Sequence, residues 1–118
     1  MAAEIKNEKG TIKISNNVIA NLAGYEATKC YGVVGMAARS GKDGLAKLLK
    51  LENMDKGTKV KVVGNTVDLT LYVIMEYGVN VSTVGDIIKS NVAYRVEETT
   101  GLKVGSVTVN VESIRVNK

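Results

Sequence analysis

The chain of 118 residues has no histidine, no proline, no phenylalanine and no tryptophan, and only one cysteine. Each gap removes a class of function. Without histidine, the commonest acid–base catalyst and metal ligand is missing. A single cysteine, Cys30, excludes an internal disulfide and any cysteine-built metal cluster. Without Phe or Trp, the core has to be made from Val, Ile, Leu, Met and five tyrosines. No apolar run approaches the ~20 residues of a membrane span. The longest candidate, Leu69–Met75, reads as a strand. Near the N-terminus, Glu4, Lys6, Glu8 and Lys9 interrupt any apolar segment of the kind a signal peptide needs. These gaps predict a soluble cytoplasmic protein with no direct membrane insertion and no cofactor.

What is present fits one globular domain over residues 1–118, with an ordered core over about 8–116. A chain of this length buries roughly 60–70% of its unfolded surface, enough for a core without staples. Charge is unevenly placed. Arg39, Lys42, Lys47, Lys50, Lys56, Lys59 and Lys61 face only Asp43, Glu52 and Asp55 within residues 39–61. That imbalance equals the chain's whole excess of +4. Such a segment is either a footprint for an anionic partner or a solvated face.

Hydrophobic period assigns the elements. Gly10–Ile14 alternates and reads as the first strand, and Ser15 or Asn16 can cap a helix carrying Val18/Ile19, Leu22/Ala23 and Ala27/Cys30. Tyr31–Ala38 is apolar on both parities and predicts a buried strand, followed by a polar loop over Arg39–Asp43. Gly44–Met54 has the pattern of a short amphipathic helix. Lys59–Val63 and Thr66–Glu76 flank Gly64-Asn65, a hairpin signal, and the second strand ends apolar on both faces. A long helix follows with Val84, Ile87/Ile88, Val92 and Val96 on one face, Ser82 where an N-cap would stand, and Gly101 to end it. Val107, Val109 and Val111 then alternate, but Ile114 and Val116 fall on the other parity, so a bulge is expected near Glu112-Ser113. The order β-α-β-α-β-β-α-β makes the fold class α+β, a two-layer domain with helices packed on a mixed, mainly antiparallel sheet.

No constellation supports catalysis, and no catalytic, cofactor-binding or metal-binding residue is assigned. Cys30 ends a helical apolar stripe and reads as a small core residue; only Lys29 is a cationic neighbour in sequence. Asp68, Glu76 and Asp86 are scattered, and Glu97-Glu98 read as a solvated helix face. Gly35–Asp43 fails as a phosphate loop, because five residues separate its glycines where the motif has four and Asp43 stands where Ser or Thr would hold magnesium. Gly41-Lys42-Asp43-Gly44 is a G-x-x-G loop opening a lysine-bearing helix, as in KH domains, although the helix such a domain needs before the loop is missing. Arg39, Lys42, Lys47 and Lys50 are thus the candidate nucleic-acid contacts of an alternative reading. Tyrosine suits interfaces and core edges alike. Core edges are the commoner expectation for the five, while Tyr72, Tyr77 and Tyr94 are the partner-interface candidates. Val107–Val111 is a candidate sheet edge, open to strand addition.

An ordered set of short matches resembles the alkaline shock protein family of Gram-positive bacteria. It comprises Gly10, Ile12 and Ile14; Val18-Ile19 and Ala23; Gly32-Val33-Val34-Gly35-Met36; Val67-Asp68-Leu69; Tyr77-Gly78-Val79-Asn80-Val81; and Val92, Val96-Glu97, Thr100-Gly101-Leu102, Val104, Val107, Val109 and Val111. The resemblance spans about residues 7–116 and is weakest over Arg39–Asp55. It implies an envelope-stress-associated cytoplasmic protein with no catalytic residues to carry over. It also implies that protein partners, among them a membrane-anchoring protein, or self-association into a homo-oligomer deliver its function. The combined expectation is a non-enzymatic interaction or scaffolding module, with nucleic-acid binding through residues 39–61 as the alternative.

Overall fold

The apolar stretch Thr66–Glu76 becomes the axis of the main sheet. Val67, Leu69, Leu71, Val73 and Met75 alternate onto one face and are buried there, and Ile74 is buried on the other. The computed structural model describes residues 2–37 and 57–116. Within them the elements are β1 (Ala2–Asn7), β2 (Gly10–Ser15), α1 (Asn16–Thr28), β3 (Val33–Met36), β4 (Thr58–Val63), β5 (Thr66–Glu76), α2 (Val81–Thr100) and β6 (Lys103–Arg115). One edge of β5 is shared: β4 pairs antiparallel with its first half and β3 antiparallel with its second. Its other edge pairs in parallel with β6, which α2 makes possible by carrying the chain back across the sheet. The α+β class and the mixed sheet therefore match expectation. The expected helix over Gly44–Met54 and the polar loop before it lie outside the described residues.

Both helices pack on the face where β5 buries its alternating residues. Ile19, Ala23 and Ala27 of α1 join Val84, Ile88, Val92 and Val96 of α2 in one core with β5. Ser15 caps α1, its hydroxyl accepting from the Val18 amide at 3.3 Å. For α2 the cap is Asn80 rather than Ser82, the side-chain oxygen accepting from the Thr83 amide at 3.0 Å. The helix begins about a turn before its first buried residue, Val84, so its cap lies upstream of the apolar pattern. At its far end Gly101 takes φ +78 and Leu102 folds under the last turn, nearly fully buried.

The strands add three features. Gly64 opens the β4–β5 turn at φ +63, and no non-glycine residue among those described has positive φ, so the two-residue turn follows the II′ rather than the I′ pattern. The β5–β6 register shifts between Val111 and Ser113, the expected bulge, and shifts again between Val104 and Ser106. Together the two bulges bring Val104, Val107, Val109, Val111 and Ile114 onto the helix side, opposite Val67, Leu69, Leu71, Val73 and Met75. Finally, Ala2–Asn7 pairs with β2 as an N-terminal hairpin, which lies ahead of the first strand expected from sequence. Its Ala3 is buried, and Ile5 packs against the core.

Candidate functional site

Four of the five tyrosines project into solvent: Tyr25, Tyr31, Tyr77 and Tyr94 are all exposed. Core edges therefore do not account for them. Tyr31 and Tyr77 sit on neighbouring turns that the backbone locks together. The Glu76 amide donates to the Gly32 carbonyl at 2.8 Å, and the Tyr77 amide donates to the Arg115 carbonyl at 2.8 Å. Gly32, at φ +91, lets the first turn press against α2. A methyl group there would lie 3.0 Å from Val84 Cγ2 and 3.1 Å from Val79 Cγ1. The turns frame a groove of about 430 Å³ whose lining includes Tyr31, Tyr77, Val79, Thr83, Val84 and Ile87. Tyr31 is 82% exposed, Tyr77 71% and Ile87 43%. The groove thus carries large apolar side chains open to water, each tyrosine with a hydroxyl at its tip.

The flank of α2 that carries Ile87 continues to Tyr94 seven residues on. The Tyr94 hydroxyl donates to Glu98 Oε2 at 2.6 Å, which pushes its ionisation above the ordinary phenol value. Glu98 also accepts from Arg95 Nη1 at 2.8 Å, and Arg95 Nε lies 3.4 Å from Glu26 of α1. Tyr94 is thereby held on the helix surface. Tyr72 is different. It points to the sheet face opposite the helices and is only half-buried. The three tyrosines marked from sequence thus do not form one surface: Tyr77 and Tyr94 belong to the helix side, Tyr72 to the other. Tyr31, read as part of a buried strand, is the missed member. The signal for it was Gly32, which ends the helix-to-strand turn and leaves only Val33–Met36 in β3.

Cys30, next to Tyr31 in the chain, is 6% exposed, with Asn91 Nδ2 donating toward its sulfur at 3.7 Å. Burial raises the thiol above its ordinary pKa, and the Glu26 charge adds to the rise against the lowering effect of Asn91. A thiol so placed is held protonated, the opposite of what a nucleophile needs. Among the described residues no three Asp, Glu or Cys groups converge to hold a metal ion. Arg39, Lys42, Lys47 and Lys50, with the Gly41–Gly44 loop, lie outside the described residues. Lys59 and Lys61 of the same basic segment are exposed on the sheet face away from the helices, and Asp68 stands directly opposite Lys61 across the β4–β5 ladder. No helix among the described residues is long and apolar enough to cross a membrane.

Comparison with known proteins adds a family. A family model, that of the alkaline shock protein 23 family with cell envelope-related function, matches residues 4–116. The uncharacterized protein YloU of Bacillus subtilis (strain 168) is 41% identical over 117 residues, covering 98% of both chains. The uncharacterized protein Spy1614 of Streptococcus pyogenes serotype M6 is 38% identical over 117 residues, covering 98% of this chain and 97% of its own. Among solved structures, one of MamM-CTD is similar with a TM-score of 0.49 and 15% identity, covering 80% of this chain and 92% of that one.

Proposed function

The chain belongs to the alkaline shock protein 23 family, whose function is cell envelope-related, and on that premise we propose that it works as a non-enzymatic interaction module. It binds a protein partner through the groove framed by Tyr31, Tyr77 and Ile87. One observation carries the reading: three large side chains, 82%, 71% and 43% exposed, converge on one groove whose turns are fixed by backbone hydrogen bonds. Rigid aromatic anchors of this kind supply most of the energy in protein interfaces. In this reading the link to the envelope is indirect. A partner with its own membrane anchor brings the chain there, because the described helices supply no span.

The test is capture from native lysate by the wild-type chain and by a Tyr31→Ser/Ile87→Ser variant, each with and without nuclease. A discrete protein held by the wild type after nuclease, and lost from the variant, is the expected outcome. Material lost on nuclease treatment would instead promote the basic residues 39–61 as a nucleic-acid contact. Equal capture by both chains would remove the groove from the account.

A further inference from the structure

Among the described residues, the helix layer is too narrow for the sheet. Val107, Val109 and Val111 of β6 face the helices yet remain half-buried, while their partners Leu69, Leu71 and Val73 on β5 are fully covered. Beside them runs an open seam between α2 and β6. A groove of about 400 Å³ has Val81, Gly85, Lys89 and the three valines in its wall, and a further one of about 260 Å³ continues it past Ser90 and Ala93. On a helix of 3.6 residues per turn, Ser82, Gly85, Asp86, Lys89 and Ala93 share this flank. It is the flank opposite the one that carries Ile87 and Tyr94. A methyl group built on Gly85 meets nothing within 4 Å. Among the described residues β6 pairs only with β5. Between its bulges, Ser106–Val111 has no charge and no proline, the devices that usually blunt an exposed edge.

We propose that this seam is filled by the same seam of a second copy of the chain, with the two β6 strands pairing antiparallel about a two-fold axis near Val109. The proposal rests on the interaction-module reading and names a second copy as the occupant of a different surface from the tyrosine groove. Self-complementarity is the reason. Centred on Val109, the pairing sets Val107 opposite Val111 of the second copy and Thr108 opposite Asn110, so every pair keeps apolar and polar residues on matching faces. The two copies of α2 then run antiparallel over the joined sheet. Asp86 and Lys89, which pair within one helix at 3.2 Å, meet Lys89 and Asp86 of the other. The result is an alternating quartet of charges. Ser82, Gly85, Ser90 and Ala93 are small enough for two helices to approach at the short end of the usual 8–10 Å. A two-fold contact must present one patch to itself, and this one does so in shape, strand face and charge.

Sedimentation equilibrium on the full chain tests it. The wild type is expected to dimerise, Asp86→Lys and Lys89→Asp are each expected to weaken the dimer roughly tenfold, and an equimolar mixture of the two is expected to restore association as a heterodimer. Circular dichroism of each variant confirms folding, which these exposed positions should not disturb. As a second measurement, Val109→Cys with Cys30 replaced by alanine should yield an oxidised dimer, and Lys59→Cys in the same background should not. A wild type that stays monomeric at about 1 mM would overturn the proposal. So would a dimer indifferent to both charge reversals, or a mixture that shows no rescue. Each of these three failures leaves the lysate experiment free to succeed, because the tyrosine groove lies on the other flank of α2.

Discussion

Replacing Gly32 with alanine should be among the costliest single-methyl additions in the chain, and the structure gives the size. Gly32 sits at φ +91, where an L side chain is strained by about 1–2 kcal/mol. Its added methyl would press on Val84 Cγ2 at 3.0 Å and Val79 Cγ1 at 3.1 Å. Overpacking against two branched side chains adds about 1–3 kcal/mol. The smaller entropy of the unfolded chain returns about 0.4–1 kcal/mol. The expected net loss is roughly 2–4 kcal/mol, a large part of the 5–15 kcal/mol that holds a domain of this size together. Gly64→Ala is the control: its φ is +63, but nothing lies within 4 Å, so it should lose only about 1 kcal/mol. Urea unfolding followed by circular dichroism, with an unchanged m-value, measures both. Placing Gly32→Ala in a Val79→Ala background should recover part of the difference, because one of the two crowding methyls is gone. Equal losses for Gly32→Ala and Gly64→Ala would refute the close packing, and with it the rigid frame of the tyrosine groove.

Adjacent isoleucines should behave oppositely: Ile88→Ala should cost about 2–5 kcal/mol and Ile87→Ala under about 1 kcal/mol, since only Ile88 is fully buried, and thermal unfolding of the pair decides it. Asn80→Ala should lose about 1 kcal/mol, whereas Ser82→Ala, inside the first turn and not the cap, should stay within about 0.5 kcal/mol in urea titration. Gly105→Ala would put a methyl 2.7 Å from Asp68 Oδ1, displacing the carboxylate that accepts from the Ser106 hydroxyl at 3.1 Å; a loss of about 1–2 kcal/mol, shrinking in an Asp68→Ala background, is expected from a double-mutant cycle. The pH dependence of Cys30 has a definite sign. Its thiol is raised in the folded chain, so its contribution is complete below the ordinary thiol value of 9.0 and is lost as pH rises toward the folded value. The stability of the wild type should therefore fall more steeply above pH 9.0 than that of Cys30→Ala.

Much of the fold was legible because its signals are local. The alternation of Val67, Leu69 and Leu71, the four-residue spacing of Val84, Ile88, Val92 and Val96, and the glycine at 101 each follow from one element's own geometry. Even the bulge at Glu112 could be read, because a change of parity needs only the strand itself. What escaped depends on neighbours. The strand Ala2–Asn7 presents only Ala3 and Ile5 inward between charged residues, and its reason to be a strand lies in its partner β2. The bulge at Gly105 is silent in the valine pattern because glycine belongs to neither face. Ile87 and Ile88 are equally apolar in sequence, and only the packing of α1 beside α2 chooses between them. Tyr31 escaped for the same reason: an apolar run cannot say where the turn before it ends.

The two surfaces meet in α2, and that sets a consequence for binding strength. The helix buries Val84, Ile88, Val92 and Val96, shows Ile87 and Tyr94 on one flank, and shows Gly85, Lys89 and Ala93 on the other. Joining two chains through the second flank leaves the first free, so a dimer would carry two tyrosine grooves facing outward from one continuous sheet. Against partners confined to a surface, the second contact becomes intramolecular and can raise apparent affinity by about 10²–10⁴ without any new contact. Asp86→Lys, which weakens the pairing of the copies, should then keep the affinity of one groove for one soluble partner and reduce retention on a surface crowded with it. Tyr31→Ser/Ile87→Ser should do the reverse, leaving dimerisation intact and losing both kinds of binding. Surface plasmon resonance at low and high partner density separates the two. If Asp86→Lys loosened binding equally at both densities, the seam and the groove would not be independent surfaces.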